Sequence, residues 1–160
     1  MAEQPSSNPP NHAGVWIPPP LLYVLPLLLA RFLQTVIPLP FLPAGLVAGA
    51  AALFLIVGGI LCIWSVGLFR RFKTSLIPVK PTATLVLRGP YKLSRNPMYL
   101  GLLCLYLAAA FWMNCVWALV LVPLVIVIVQ RMVIEKEERY LEQQFGEAYR
   151  QYKAQVRRWV

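Results

Sequence analysis

Apolar residues fill two long uninterrupted stretches of the chain. No charged residue occurs between Phe32 and Phe69, and none occurs between Asn96 and Gln130. Each stretch is longer than the roughly 20 residues that cross a bilayer once. Because a helix rises about 1.5 Å per residue, each stretch has room for more than one crossing. The pattern predicts a polytopic membrane protein built from helices.

Prolines and a central asparagine divide these stretches into crossings. A first apolar segment at about 15–37 leads into a proline-rich turn, PLPFLPAG, and a second crossing, rich in small residues, is predicted at 44–69. The second apolar stretch is too long for one span, so we predict two crossings, at about 98–112 and 116–134, that turn at Asn114. The first of this pair is short, and one strongly tilted helix is the alternative. The predicted fold class is all-α, a bundle of about four transmembrane helices.

Both ends of the chain differ from these apolar runs. Residues 1–13 are polar and proline-rich, lack the cationic start of a signal peptide, and are predicted to be disordered. From Glu135 to Val160, apolar residues recur at spacings of 4, 4, 3, 4 and 3, which predicts one amphipathic helix with a modest interruption at Gly146. We predict a single membrane domain at 14–160.

The net charge of +9 is concentrated beside the membrane segments. Seven cations and no acid fall between Arg70 and Arg95, which is the positive-inside pattern of a cytoplasmic loop. Such a loop sets topology and contacts anionic lipid headgroups, so membrane lipids are expected partners and nucleic acid is not. With four crossings, both termini then lie on the cytoplasmic side.

The cysteines and the histidine show no spacing that is typical of a metal or redox site. The three cysteines lie within apolar runs without CxxC or Cys/His spacing, and the single histidine, His12, lies in the N-terminal lead. No metal site is predicted, and a mechanism that needs a histidine base in the membrane domain is excluded.

Two polar clusters flank the same end of the predicted helix pair. GPYKLSRNPMYLG (89–101) precedes the first helix and EKEERY (135–140) follows the second, so a hairpin would make them neighbours. Arg95, Glu137 and Glu138 would then form a mixed-charge site. Such a site can hold a zwitterion, with the guanidinium on a carboxylate and a glutamate on an ammonium or on ribose hydroxyls.

The same residues also fit a purely structural interpretation. Asn96 and Pro97 have the chemistry of a helix start, as N-cap and first helical residue, and Arg95 can anchor the helix at the headgroups. Spacing alone does not decide between a ligand site and a helix boundary.

Taken together, the two clusters resemble those of the isoprenylcysteine carboxyl methyltransferase and phospholipid methyltransferase superfamily of small membrane enzymes. Its first motif resembles G-x-Y-x-x-x-R-[HN]-P-x-Y-x-G, and its second resembles E-E-x-x-L-x-x-x-F-G-x-x-Y-x-x-Y. The likeness extends over about 68–160. The matching residues are Gly89, Tyr91, Arg95, Asn96, Pro97, Tyr99 and Gly101 in the first motif, and Glu137, Glu138, Leu141, Phe145, Gly146, Tyr149 and Tyr152 in the second.

The resemblance implies an integral membrane methyltransferase that uses S-adenosylmethionine and acts on a lipophilic or lipid acceptor at the cytoplasmic boundary. Carried over residue by residue, the first-motif residues would shape the cofactor pocket within a cofactor-binding part at about 70–160, and the C-terminal helix would close it. Arg95, Glu137 and Glu138 would bind the cofactor and take part in catalysis. Asn96 stands where the prenylcysteine enzymes usually have histidine, and asparagine cannot carry a charge, so a prenylcysteine acceptor does not follow.

Methyl transfer from a sulfonium gains most of its rate from alignment and from exclusion of water, so it requires neither a histidine nor a metal. Two other functions remain open, a membrane reductase of related architecture with a nicotinamide cofactor and a non-catalytic scaffold of the same fold. The reductase pocket would need room and cations for two phosphates.

Overall fold

The computed structural model describes residues 17–72 and 85–160, and within them every regular element is helical. The N-terminal lead at 1–13 and the predicted loop cations Lys73 and Lys80 lie outside the described residues. In chain order the elements are α1 (Pro19–Val36), α2 (Ala44–Arg71), a 3-10 turn (Gly89–Lys92), α3 (Pro97–Trp112), α4 (Val116–Val120), α5 (Val122–Val129), a π-helical segment (Gln130–Ile134), α6 (Glu135–Phe145) and α7 (Glu147–Gln155).

Three of the described helices are long and apolar enough to cross a membrane, namely Pro19–Val36, Gly45–Arg71 and the composite helix Val116–Phe145. In the composite helix the apolar run ends at Ile134, so we take Val116–Ile134 as the crossing and α6 as its polar extension. Helix α3 is apolar but has 16 residues. It therefore rises only about 24 Å, less than the roughly 30 Å of a bilayer core. The predicted polytopic, all-α membrane bundle is confirmed.

Helix α3 lies at the centre of the bundle, with α2 packed on one side and α1 on another. The helices α2 and α3 approach closely where two glycines lie against the facing helix. A Cβ atom on Gly58 would lie 2.8 Å from the carbonyl oxygen of Gly101, and one on Gly101 would lie 2.7 Å from Sγ of Cys62. In lipid, where packing drives helix association, small residues permit such an approach.

The turn between α3 and α4 is built around Asn114, whose φ of 44° lies in the left-handed region that asparagine tolerates. Its Oδ1 accepts the backbone N–H groups of Phe41 and Leu42, each at 3.1 Å, and its Nδ2 donates to the Leu42 carbonyl at 2.8 Å. The predicted turn is confirmed, and the alternative of one tilted helix is wrong. The asparagine also ties the hairpin to the turn between α1 and α2.

The C-terminal region is not the single amphipathic helix that the apolar spacing predicted. Helix α6 ends at Phe145, and Gly146 adopts φ 53° and ψ −121°, a conformation that favours glycine. Helix α7 follows and ends at Gln155, after which Val156 is extended. We call Val156–Val160 the C-terminal strap. The regular spacing is therefore produced by two helices and a strap that turn back on one another.

Candidate functional site

Arg95 and Glu138, from the two polar clusters, meet at one end of the α3–α5 hairpin. Nη1 of Arg95 lies 3.2 Å from Oε1 of Glu138, and the two side chains are only 9% and 6% exposed. The turn at Asn114 makes α3 and α4–α5 antiparallel, so the start of α3 returns to the start of α6. Charges this deeply buried persist only when they are paired.

A second arginine, Arg158 of the strap, completes the cluster. Its Nε donates to Oε1 of Glu138 at 3.1 Å and its Nη2 donates to Oε2 at 2.8 Å, which is the bidentate geometry of a strong charge-assisted pair. Its Nη1 also lies 3.7 Å from Oε1 of Glu135. Arg158 was not among the site residues predicted from the sequence. The available signal was the concentration of glutamates in the first turn of α6, which needs more cations than Arg95 supplies.

The backbone of the strap is bound to the first motif. The Arg95 N–H donates to the Arg157 carbonyl at 2.9 Å. The Ser94 hydroxyl and the Asn96 amide Nδ2 both donate to the Arg158 carbonyl at 3.1 Å. Asn96 stands at the N-cap of α3 and Pro97 begins the helix, yet the Asn96 side chain makes no cap hydrogen bond. Asn96 and Pro97 therefore occupy the helix-start positions that the structural interpretation expected. The Asn96 side chain, however, binds the strap and does not cap the helix.

Glu137 lies beside this cluster and is paired with Tyr99, whose hydroxyl donates to Oε1 at 2.6 Å. Glu137 lies three residues beyond the end of the apolar crossing at Ile134. Burial raises the pKa of the Glu137 carboxyl to about 7, and the neighbouring Glu138 carboxylate also raises it, whereas the hydrogen bond from Tyr99 lowers it. This carboxyl can therefore change charge close to neutral pH.

Helix α1 supports the site from behind Tyr99. The Tyr23 hydroxyl donates to the Tyr99 carbonyl at 2.9 Å, and both side chains are buried. No site residue was predicted from the sequence in the first two crossings. Tyr23 is a contribution from the first of them, because it holds the backbone that carries the Glu137 partner.

Tyr91 is buried at the junction of the 3-10 turn with α2 and α7. Its carbonyl accepts the Tyr152 hydroxyl at 2.7 Å, and its ring lies edge-on to Phe69 with centroids 5.6 Å apart. Tyr152 of the second motif therefore fastens α7 to the first motif. The structure shows Tyr91 in a packing and hydrogen-bonding role at the edge of the site.

The two motif glycines have different surroundings. Gly89 has φ of 61°, and a Cβ atom there would lie 2.9 Å from Nε1 of Trp64, so the turn passes close to α2. Gly101 lies at the contact of α2 with α3 described above. Both glycines let the first motif lie close to α2. Neither belongs to the charged cluster.

An open cleft of about 200 Å³ borders Glu138. Its lining is entirely charged, and Lys153 and Glu142 form an ion pair of 3.2 Å within it. Pockets for drug-sized ligands measure about 300–1,000 Å³. The cleft is therefore smaller than a pocket that encloses a nucleoside-sized ligand. The lining residues are Glu135, Glu138, Arg139, Glu142, Lys153 and Arg158.

These features define a class of protein, a membrane-embedded helix bundle with a buried mixed-charge site at one membrane boundary. The family model described as phospholipid methyltransferase matches residues 46–148, and the chain belongs to this family. The match is consistent with the superfamily that the two motifs resemble. It begins after α1 and ends before the strap, so Tyr23 and Arg158 lie outside it.

Two further comparisons accompany the family match. An uncharacterized protein of Haemophilus influenzae (strain ATCC 51907 / DSM 11121 / KW20 / Rd) is 43% identical over 63 residues, which are 39% of this chain and the whole of that protein. No solved structure matches the chain.

Proposed function

We propose that the protein transfers a methyl group from S-adenosylmethionine to a lipophilic or lipid acceptor at the membrane boundary. The observation that carries the proposal is the buried cluster of Arg95, Glu138 and Arg158, with the Tyr99–Glu137 pair beside it. Family membership supports methyl transfer, and the position of the cluster at the end of the apolar crossings supports an acceptor that resides in lipid.

The residues of the cluster fit the charged groups of S-adenosylmethionine. Within the part of the chain that the structure describes, Nε and Nη1 of Arg95 are buried and make no hydrogen bond, although Nη1 is ion-paired with Glu138. A guanidinium with unused donors can bind the carboxylate of the cofactor. Glu137 and Glu138 offer acceptors for its ammonium and its ribose hydroxyls. When bound, the cofactor supplies an electrophilic methyl group on a sulfonium.

The contribution of this chain to methyl transfer is alignment in a site that excludes water. Arg95 and Glu138 would orient the amino-acid end of the cofactor, with the guanidinium on its carboxylate and the glutamate on its ammonium. Glu137 would place a carboxylate near the sulfonium or accept a proton from an amine or phenol acceptor, while a carboxylate acceptor needs no base. We assign Arg95, Glu137 and Glu138 these roles as part of the proposal.

We further place the site on the cytoplasmic side of the membrane. The positive-inside rule supports this side, because four exposed cations among the described residues lie where α2 ends beside the 3-10 turn. These cations are Arg70, Arg71, Arg88 and Lys92.

The proposal is tested by incubating the purified protein with labelled S-adenosylmethionine and a total lipid extract to which a prenylated peptide has been added. We expect label in an organic-extractable product, which mass spectrometry then identifies as a phospholipid, a prenylated peptide or a small amphiphile. Arg95→Ala is the matched control and should lose this label. If the protein remains folded and no lipid fraction carries label, the proposal is contradicted.

Glu137 leads to a pH prediction that does not depend on the acceptor. Below its pKa of about 7 the carboxyl is neutral and does not attract a cation. The affinity for S-adenosylmethionine should therefore increase as the pH rises towards about 7, by roughly fivefold between about pH 6 and pH 7. In this range the α-ammonium of the ligand, with a pKa of about 8, stays mostly charged. Binding titrations across the range measure the effect. Glu137→Gln should remove this rise, and a variant that keeps the same slope would assign it to another group.

A further inference from the structure

Both oxygens of the Glu138 carboxylate are occupied by the chain's own cations. Nη2 of Arg158 lies 2.8 Å from Oε2, and Oε1 is shared by Nε of Arg158 at 3.1 Å and Nη1 of Arg95 at 3.2 Å. The carboxylate is almost fully buried by these partners. A cationic group of a ligand can therefore form a bidentate pair with Glu138 only in place of one of the two guanidiniums.

The two arginines differ in how easily they can leave. The Arg95 side chain is 9% exposed and lies beneath the strap, so its withdrawal would strand a buried charge. The Arg158 side chain is 28% exposed and lines the open cleft, so water can replace the hydrogen bonds that it gives up. Of the two guanidiniums, that of Arg158 can therefore leave Glu138 more easily.

The strap can keep its place while this side chain moves. Its anchors to the first motif are the backbone carbonyls of Arg157 and Arg158, which accept from Arg95, Ser94 and Asn96. These bonds do not involve the Arg158 guanidinium. Rotation of the side chain out of the cleft would enlarge a space of about 200 Å³ beside Glu138 without detaching the chain.

We propose that Arg158 is a built-in competitor for the Glu138 carboxylate, which the ammonium of S-adenosylmethionine or S-adenosylhomocysteine displaces on binding. The inference rests on the proposed function and adds a residue that determines affinity from outside the family match. One cation replaces another at Glu138, so this buried carboxylate keeps a partner charge. The bound state gains the carboxylate contact only after Arg158 has given up its bidentate pair.

The test compares Arg158→Gln with the matched control Arg157→Gln. Arg157 is exposed, and no ion pair of its side chain occurs among the described residues. Calorimetric titration of the purified full chain should show S-adenosylhomocysteine binding at least about fivefold tighter to Arg158→Gln than to wild type, because no competitor has to leave. Arg157→Gln should match wild type. Adenosine, which lacks the ammonium, should bind all three proteins equally.

Weaker or unchanged binding of S-adenosylhomocysteine to a folded Arg158→Gln variant overturns the inference. If that variant does not fold, Arg158→Lys replaces it. Lysine keeps the charge without the bidentate fork, so binding tighter than in wild type is again expected, and unchanged or weaker binding overturns the inference. A wild-type protein that binds no S-adenosylhomocysteine refutes the proposed function and this inference together. Binding without any gain in the variants refutes the inference alone.

Discussion

Replacement of Glu138 by glutamine is expected to abolish the binding of S-adenosylhomocysteine, with a loss of at least about 100-fold in affinity, and to lower the stability of the protein. Glu138 is the anion that neutralises Arg95 and Arg158. The neutral amide would leave the Arg95 guanidinium buried without a partner charge, a change that costs about 3–5 kcal/mol in other buried pairs. The apolar crossings do not depend on this pair, so the variant should still fold into the bundle. Calorimetric titration and thermal unfolding in detergent measure the two effects.

Glu147→Gln is the matched control for this prediction. Glu147, in the first turn of α7, pairs with Arg150 outside the cleft, and these two side chains are 69% and 59% exposed. Pairs of this kind contribute about 0–1 kcal/mol, so neither affinity nor unfolding temperature should change appreciably. Undiminished affinity in Glu138→Gln would remove Glu138 from the proposed cofactor site.

Replacement of Gly58 by leucine is expected to separate α2 from α3 and to lower the unfolding temperature strongly. The obstacle to a side chain is the Gly101 carbonyl oxygen, 2.8 Å from the ideal Cβ position. This atom belongs to the backbone and cannot rotate away. Overpacking costs about 1–3 kcal/mol and occasionally more, and the fixed obstacle places this variant at the upper end. Thermal unfolding measures the loss of stability. Cys62 is partly buried beside this contact, so separation of the helices should raise its reactivity with maleimide.

Gly59→Leu is the control, because no atom lies within 4 Å of a Cβ at that neighbouring position. A leucine there would project into open space that lipid fills, so stability and Cys62 reactivity should resemble those of the wild type. Equal loss of stability in the two variants would contradict the packing of α2 on α3 described here.

The membrane part of the fold could be predicted because the bilayer constrains it so strongly. The second crossing was predicted at 44–69 and spans Ala44–Arg71. The turn at Asn114 was predicted from a single polar residue within an apolar run, since a polar side chain there needs a partner outside lipid. Apolarity and length are sequence properties, so both predictions were close.

The C-terminal region could not be predicted in the same way. Its apolar spacing continues through Gly146, and only the three-dimensional structure shows that this glycine adopts a positive φ and ends α6. The pairing of Arg158 with Glu138 depends on that turn. Helical periodicity in the sequence carries no information about contacts that the chain makes across this turn.

The candidate site was predicted in part. The two motifs were expected to converge, and Arg95 and Glu138 do lie 3.2 Å apart. The resemblance implied cofactor roles for Arg95 and Asn96, and these roles stay a proposal. In the structure Arg95 pairs with Glu138, and Asn96 binds the strap. A sequence shows which donors and acceptors are present, but the folded chain decides which of them it satisfies internally.

Photolabelling with radioactive S-adenosylmethionine, followed by peptide mapping, tests the central claim most directly, because it locates the cofactor without knowledge of the acceptor. Ultraviolet irradiation of the complex should place label in peptides that contain residues 89–101 or 135–160, and excess unlabelled S-adenosylhomocysteine should suppress it. Label confined to α1 or α2, or label that the competitor does not suppress, would contradict a cofactor site formed by Arg95 and Glu138.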